Sequence, residues 1–233
     1  MSRALRALSA TYVERRAKLS TGAALAGAGK RAAFALFYGP IHYLLIDRIV
    51  HELAAAGSQP PDVIVDLGSG TGVAGAAFAR AYAQPPKIAA FDIHPWSLQE
   101  TARTHRVFGL AGRTHRADVT TAVLPRGRAA IVAAYSVNEI ADQPARERLL
   151  ERILDRASAG GETLIVEPLA GSAAPWWRHW QERFVRAGGR ADAWRFPSEL
   201  PAIVAKLDRA AGLDHRELTG RSLWLGAARR PSP

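Results

Sequence analysis

The sequence predicts an α/β protein with a doubly wound, mostly parallel sheet. Three observations predict this class. Short apolar runs of strand length alternate along the chain with longer segments of helical periodicity. A glycine-rich turn joins the first apolar run to a helix, and a carboxylate ends each of the first two runs. Ligands of such sheets bind at the carboxyl ends of the strands, so we expect the functional residues there.

The first strand, turn and helix, between Asp62 and Ala79, are the most informative part of the chain. Val63 to Val65 form the short apolar run of a strand that is buried on both faces, and good helix formers follow the turn. Gly68, Gly70 and Gly72 lie between the strand and the helix. Residues without a Cβ allow such a turn to press its backbone N–H groups against a ligand at the helix N-terminus.

Two nucleoside cofactors fit this turn. Gly70, Gly72 and Gly75 satisfy the G-x-G-x-x-G pattern of dinucleotide sites. Asp66, however, ends the strand and extends the pattern to D-x-G-x-G-x-G, and its charge would oppose that of a pyrophosphate. The extended pattern resembles motif I of the class I methyltransferases, which bind S-adenosylmethionine (SAM). A dinucleotide site and a purely structural turn are the alternatives.

The resemblance implies which residues of this turn hold SAM. In the class I family the acidic residue, here Asp66, helps to hold the cationic amino-acid end of the cofactor. The loop lies beneath that end of the cofactor, and its predicted cofactor-binding residues are Gly68, Ser69, Gly70 and Gly72.

The second strand supplies another acidic candidate. Lys87 to Phe91 is a mostly apolar run that ends in Asp92, and a carboxylate at this place can accept hydrogen bonds from both ribose hydroxyls. By resemblance, Asp92 is the ribose ligand, and Ile93 lies beside it in the cofactor site. Capping of the following helix, with Pro95 in its first turn, is the alternative role for Asp92.

The third strand is predicted to be short and to run into a loop between Thr114 and Thr121. By resemblance, Asp118 falls where the family hydrogen-bonds the adenine amino group, and Val119 follows it. A surface carboxylate without a ligand is the alternative for Asp118.

The remaining elements complete a sheet of seven strands. Ala129 to Ala134 is the predicted fourth strand, and a fifth follows Gly161. Between these strands the run ARERLLERILDRA places its leucines and isoleucine on one helical face. A last helix is predicted over Leu200 to Ala211, closed by Gly212, and the runs HREL and SLWLGA are predicted to pair as a hairpin. In the family that the chain resembles, the last of seven strands is antiparallel.

Candidate catalytic residues follow the fourth and fifth strands, because substrates bind at that edge of such a sheet. Glu139 and Glu167 are candidate bases, and Asn138 is a candidate for orienting the acceptor. Tyr135 is assigned to the cofactor site. Methyl transfer from a sulfonium mainly requires alignment of the nucleophile and, where needed, a proton acceptor. Helix capping and lining of the cofactor site are alternative roles for these residues.

Composition narrows the chemistry. The chain has 233 residues and no cysteine, which excludes disulfides, thiolate metal sites and a cysteine nucleophile. We expect no metal site, because Tyr135 stands where a metal-assisted methyltransferase would benefit from an acidic ligand. The sequence has no uninterrupted apolar run of about eighteen residues and no signal-peptide pattern, so we expect a cytoplasmic protein without a membrane span.

Positive charge is concentrated towards the two ends of the chain. Residues 1–31 hold seven basic side chains and one acidic side chain, and residues 171–233 hold eleven and six, within a net charge of +10. The sheet region between them is close to neutral. Basic surfaces beside a cleft attract phosphate backbones, which favours RNA as the acceptor. An arginine-rich composition unrelated to RNA is the alternative, since only four of the 31 basic residues are lysines.

Two short stretches resemble one branch of the methyltransferases. AAYSVNEI, from Ala133, and LIVEP, from Leu164, are similar to stretches of the mitochondrial small-subunit ribosomal methyltransferase-like family. The resemblance implies ribosomal RNA as the acceptor, although the cysteines with which mitochondrial members bind a metal cluster are missing here. The alternatives are a small-molecule O- or N-methyltransferase and a non-catalytic assembly factor that binds SAM or RNA.

The predicted organisation is a basic N-terminal helical extension, residues 1–57, followed by the methyltransferase domain, residues 58–233. A Trp-rich insertion is predicted at about 171–198, where Trp176, Trp177 and Trp180 recur at helical spacing. These indoles either pack a helix onto the domain or form a lid over an aromatic acceptor.

A second aromatic stretch precedes the glycine turn. The chain is predicted to turn at Gly39-Pro40, just before a helix that reaches about Ala56. Tyr38, His42 and Tyr43 are candidates for closing the methionine end of the cofactor.

Overall fold

Seven strands form one sheet in the part of the chain that the computed structural model describes, residues 25, 27–53, 59–169 and 176–226. The strands are β1 Val63–Leu67, β2 Lys87–Asp92, β3 Gly112–Arg116, β4 Ala129–Ala134, β5 Glu162–Glu167, β6 Arg190–Pro197 and β7 Glu217–Leu225. Their order is β3-β2-β1-β4-β5-β7-β6, with β1 to β5 parallel and β7 antiparallel to both of its neighbours. The predicted doubly wound, mostly parallel sheet is confirmed.

Helices cover both faces of this sheet. They are α1 Ala28–Glu52, α2 Val73–Arg80, α3 Pro95–Val107, α4 Gln143–Ser158, α5 Trp176–Arg186 and α6 Ala202–Ala210. One buried apolar cluster joins α1, α2 and α6 to one face of the sheet, and a second joins α4 and α5 to the other face. Neighbours on one strand point to opposite faces, so Ile64 belongs to the first cluster and Val65 to the second.

Helix α1 runs through the predicted turn at Gly39-Pro40 without a break, so that prediction is wrong. Phe34–Tyr38 form a π-helical turn in which the Gly39 N–H donates to the carbonyl of Phe34, and Gly39–Glu52 continue as α-helix. Proline has no N–H to donate to the carbonyl four residues earlier. A π-helical turn changes this pairing locally and lets the helix pass the proline. The predicted helix end near Ala56 lies outside the described residues.

Within the described residues, α1 is the helix whose length and composition would also suit a membrane span, with a mean hydropathy of 1.2. Its apolar side is buried in the protein, and the side chains of Phe37, Leu45, Ile46 and Ile49 are at most 2% exposed. All four belong to the first apolar cluster. We therefore describe α1 as a core helix, which makes the described part of the predicted N-terminal extension integral to the sheet domain.

The C-terminal strands differ from the prediction. The runs predicted to form a hairpin lie largely in the single strand β7, and its partner β6 comes from the segment predicted to be an insertion. Gly220 lies inside β7, where a Cβ would approach Leu45 of α1 to 3.0 Å. This glycine therefore permits close packing of α1 on the sheet and does not form a turn.

The tryptophans of α5 pack against the domain. Trp176, Trp177 and Trp180 are buried in the second apolar cluster, and the Trp176 and Trp180 ring centroids are 5.0 Å apart. The guanidinium of Arg221 in β7 lies 4.1 Å from the ring centroid of Trp177. These contacts favour the first of the two predicted roles for the three indoles, which is to pack the helix onto the domain and not to form a lid.

Candidate active site

A cavity of about 440 Å³ opens at the carboxyl ends of β1, β2 and β4, beside the loop that follows β3. Cavities of this size commonly hold small ligands. Residues of α1 complete its wall. The predicted site residues that line it are Gly68, Ser69, Gly70, Asp92, Ile93, Asp118, Val119, Tyr135 and Glu139.

The glycine loop needs its glycines for two reasons. Gly68, Gly70 and Gly72 have φ angles of +70°, +55° and +75°, in the left-handed region that side chains disfavour. Their neighbours also approach closely, since a Cβ on Gly68 would lie 2.4 Å from the Cβ of Ser136. A Cβ on Gly72 would lie 2.9 Å from the Cα of Thr101. The loop conformation is therefore fixed by α3 and by the residue that follows Tyr135.

Replacing Gly68 with alanine is expected to lower the free energy of unfolding by about 2–5 kcal/mol, because the left-handed strain adds to overlap with Ser136. Gly109→Ala is the matched control, because Gly109 has a similar φ of +66° but no neighbour within 4 Å of its Cβ position. Urea unfolding of both variants separates strain from overlap. The additional variant Ser136→Gly should restore part of the loss in Gly68→Ala, and equal losses for Gly68→Ala and Gly109→Ala would contradict the overlap.

Asp92 connects the glycine loop to the residues after β2. Its Oδ2 accepts a hydrogen bond from the Gly70 N–H at 2.9 Å, and its Oδ1 accepts one from the His94 N–H at 2.7 Å. Burial raises the pKa of this carboxyl above its ordinary value. Each carboxylate oxygen keeps a further acceptor site, so the carboxylate can still receive ribose hydroxyls from the cavity.

Asp118 shapes the loop after β3. Its Oδ1 accepts hydrogen bonds from the Thr120 N–H at 2.8 Å and from the Thr120 hydroxyl at 2.6 Å. Ile93, a cavity-wall residue, is 54% exposed. Val119 lines the same cavity. An apolar surface beside a hydrogen-bonding carboxylate suits an adenine ring and its amino group.

Asp66 lies behind the glycine loop and does not line the cavity. Its Oδ2 accepts a hydrogen bond from the Gly75 N–H at 3.1 Å, and its Oδ1 is buried without a hydrogen-bond partner in the described structure. Burial raises the pKa of Asp66 to about 7. A Cβ on Gly75 would approach Asp66 Oδ2 to 2.8 Å, so Gly75 makes room for this carboxylate. Gly72 is also absent from the wall, and contact of either residue with a cofactor stays a prediction.

Of the three candidate catalytic residues, the structure brings only Glu139 to the cavity. Burial and the charge of Asp92 raise the pKa of Glu139 to about 7, although part of its side chain is open at the cavity wall. Glu167 is 1% exposed, and its Oε1 accepts a hydrogen bond from the Asn138 N–H at 3.1 Å. Asn138 Oδ1 in turn accepts one from Trp176 Nε1 at 3.4 Å. Glu167 and Asn138 therefore support the turn that presents Glu139.

Glu167 is expected to make stability depend on pH. Burial raises its pKa to about 8, so the folded protein retains a proton that the unfolded chain releases near the ordinary value of 4.5. Stability from this group is complete at low pH and is lost as pH rises towards 8. Glu167→Gln removes the ionisable group. The free energy of unfolding of this variant minus that of the native protein should therefore increase between pH 5 and pH 8, by on the order of 3 kcal/mol.

Urea unfolding at several pH values checks this expectation. The exposed Glu52→Gln is the control and should follow the native protein at every pH. A Glu167→Gln variant that also parallels the native protein from pH 5 to pH 8 would contradict a buried, uncharged Glu167.

Aromatic residues from α1 complete the wall. The His42 ring stacks on Tyr135 with centroids 4.1 Å apart, and burial lowers the pKa of His42 to about 4. Tyr135 has a φ of +62°, which is unusual for a bulky residue and occurs where surrounding contacts enforce it. Phe34, which sequence reasoning missed, faces Gly70 closely enough that a Cβ there would lie 3.4 Å from its ring. Tyr38 and Tyr43 do not line the cavity.

The cavity is acidic although the chain carries a net charge of +10. Neither lysine nor arginine occurs among the described residues of its wall. The described part of the chain also has no group of three or more His, Asp or Glu side chains suited to hold a metal ion. The carboxylates of the wall are Asp92, Asp118, Glu139 and Asp142.

Part of the chain matches a known protein family. Residues 64–161 match the methyltransferase domain family. The ribosomal RNA small subunit methyltransferase C of Pseudomonas paraeruginosa (strain DSM 24068 / PA7) is 33% identical over 109 residues, which are 46% of this chain and 32% of that protein. The chain thus covers about a third of the length of this curated relative.

Two solved structures share the fold. The mitomycin 7-O-methyltransferase MmcR has a TM-score of 0.56 at 15% identity, over 91% of this chain and 60% of that chain. The N-methyltransferase NodS from Bradyrhizobium japonicum WM9, in complex with S-adenosyl-L-homocysteine, has a TM-score of 0.52 at 10% identity, over 78% and 87%. The sheet therefore has the class I, Rossmann-like methyltransferase fold. The family match over residues 64–161 is to a methyltransferase domain.

Proposed function

We propose that the chain is a SAM-dependent methyltransferase that acts on RNA. The acidic cavity carries the cofactor part of this proposal. Four carboxylates, with no lysine or arginine among the described wall residues, favour the sulfonium and ammonium charges of SAM over the pyrophosphate of a dinucleotide. The chain has 31 lysine and arginine residues, and none of them is found on the described wall. The acidic character of the cavity is therefore not a consequence of the overall composition.

The residues of the wall suit different parts of the cofactor. Asp92 would accept the ribose hydroxyls, and Asp118 with Ile93 and Val119 would hold the adenine. The loop from Gly68 to Gly70 would lie against the amino-acid end, close to the N-terminus of α2. SAM supplies an electrophilic methyl group when it is bound. The protein residues must align the acceptor and, where the acceptor nucleophile carries a proton, remove it.

The RNA part of the proposal is supported by two observations. The curated relative that is 33% identical to this chain over 109 residues is named a ribosomal RNA methyltransferase, which favours ribosomal RNA as the acceptor class. The net charge of +10 would attract a phosphate backbone to the outside of the protein. The cytoplasm stays the predicted location, where such an acceptor would be available.

Calorimetry followed by methyl-transfer assays tests this proposal. We expect SAM and its demethylated product to bind and NAD not to bind. Tritiated methyl groups from SAM should then appear in an unmodified small-subunit ribosomal RNA transcript and not in phenols or small amines. Binding of NAD without SAM would contradict the cofactor. Transfer to small molecules alone would contradict the RNA acceptor, and SAM binding without any transfer would favour the assembly-factor alternative.

A further inference from the structure

We infer that the outer edge of the sheet, beside the cavity, holds the RNA backbone that flanks the methylated nucleotide. This cationic edge consists of Arg103 and Arg106 on α3 and Arg113 and Arg116 on β3. The inference rests on the proposed RNA acceptor and adds the surface that would bind it.

The four arginines of the cationic edge carry charge that the described protein does not neutralise. All four are exposed, and none forms a salt bridge in the described structure. Glu100 is the only carboxylate between residues 93 and 117. Several arginines nearer the opposite edge of the sheet are instead paired with carboxylates, namely Arg178, Arg183, Arg190, Arg195 and Arg216, whereas Arg186 and Arg209 also form no salt bridge in the described structure.

The cationic edge leads away from the mouth of the cavity. Arg116 ends β3, and its Nε donates a hydrogen bond at 3.3 Å to the carbonyl of Ile93, a cavity-wall residue. Arg113 lies three residues earlier, about 10 Å along the strand. Helix α3 packs beside β3, so close that a Cβ on Gly112 would overlap the His105 ring. Arg113 and Arg116 are an odd number of residues apart, so their side chains point to opposite faces of the edge strand. The four arginines are therefore spread along this edge over a distance that can accommodate more than one phosphate.

Protection of an edge strand is a simpler role for some of these charges, because charged side chains prevent pairing with other strands. That role accounts for Arg113 and Arg116. It does not account for Arg103 and Arg106, which lie on a helix and protect no unpaired backbone.

The contrast between the cationic edge and the acidic cavity suits RNA. Phosphates are attracted to the edge and repelled by carboxylates such as Asp92, Asp118 and Glu139 inside the cavity. An uncharged base can enter where a phosphate cannot. The two surfaces would thus separate the parts of a nucleotide, since backbone contacts position nucleic acid while contacts with the base select it.

The triple variant Arg103→Gln, Arg106→Gln, Arg113→Gln tests the cationic edge and leaves Arg116, which contacts the cavity wall, in place. Binding of a fluorescein-labelled single-stranded RNA is measured by anisotropy at several KCl concentrations. Each lost phosphate contact lowers the slope of log Kd against log salt by about 0.7, so we expect a decrease of about 2 and at least roughly tenfold weaker binding at low salt. SAM affinity should not change.

The matched control removes the same charge from paired arginines, Arg178→Gln, Arg195→Gln, Arg216→Gln. It should largely retain the native salt slope. Equal weakening in both triple variants would overturn the inference, because net charge alone would explain binding. Native RNA affinity in the edge variant would also overturn it, and continued RNA methylation would then leave the proposed function intact.

Two further outcomes distinguish this inference from the function on which it rests. If the native protein binds SAM but neither binds nor methylates RNA, the proposed acceptor fails together with the cationic edge. If the edge variant loses binding to anionic lipid vesicles while its RNA binding is unchanged, the cationic edge belongs to a membrane contact and the inference fails alone.

Discussion

Asp92→Ala is expected to weaken SAM binding by about 100-fold or more. The carboxylate would accept the ribose hydroxyls, and it already accepts the N–H groups of Gly70 and His94. Hydrogen bonds to a charged group contribute about 1.5–3 kcal/mol each, and 1.4 kcal/mol corresponds to a tenfold change in affinity. Loss of two ribose contacts alone gives about the expected change, and loosening of the glycine loop adds to it. Titration calorimetry with SAM measures the effect.

Asp118→Ala is the control for this experiment, because Asp118 lines the same cavity but is exposed and makes its hydrogen bonds within its own loop. We expect a smaller loss, of roughly tenfold, from one contact with the adenine. Thermal unfolding should show that the Asp92 variant is folded. SAM affinity within about threefold of the native value would contradict Asp92 as the ribose ligand.

The position of Asp92 and Asp118 in the cavity wall was predictable from the sequence, because it depends on where parallel strands end. Asp92 and Asp118 follow β2 and β3, and the carboxyl ends of neighbouring parallel strands meet at one edge. The glycine spacing fixed the turn between β1 and α2 in the same way. These features are local, so no knowledge of distant packing was required to predict them.

The wall supplied by α1 was only partly predictable. His42 was a candidate, but Phe34 was not, because the turn expected at Gly39-Pro40 would have separated Phe34 from the helix. The packing of α1 on the sheet also involves a glycine of β7. Gly220 lies between the two runs predicted to form a hairpin, yet it is part of one strand, and the side chain of Leu45 packs closely against it. Such contacts join residues that are far apart in the chain and leave no local pattern.

The sequence could not distinguish among the three candidate catalytic residues either. Asn138 and Glu139 are neighbours, and Glu167 ends the adjacent strand β5. Only the turn geometry after β4 shows that Glu139 lines the cavity while Glu167 is buried behind it.

Counts of charged residues in the sequence have a similar limit. They showed an excess of arginine beyond residue 171, but ion pairs neutralise several of these residues, whereas the arginines of the cationic edge have no such partners in the described structure.

Glu139→Gln is expected to slow methyl transfer by about 100- to 10,000-fold while SAM binds with nearly native affinity. This range is typical for the loss of a general base. Glu139 lines the cavity, and burial together with the nearby charge of Asp92 raises its pKa to about 7. A base of this pKa is about half ionised at neutral pH and accepts a proton well. Single-turnover transfer to RNA, measured with saturating SAM, tests the effect on the chemical step.

The dependence on pH gives a second test of the same residue. Since a base acts in its ionised form, the native rate should rise with pH and level off above about 7, and Glu139→Gln should lack this rise. Asp142→Asn is the matched control, because it removes one negative charge from the same wall and should keep both the rate and the pH profile. An equal loss of SAM affinity and of rate in Glu139→Gln would make Glu139 a cofactor ligand. A native rate would contradict Glu139 as the general base.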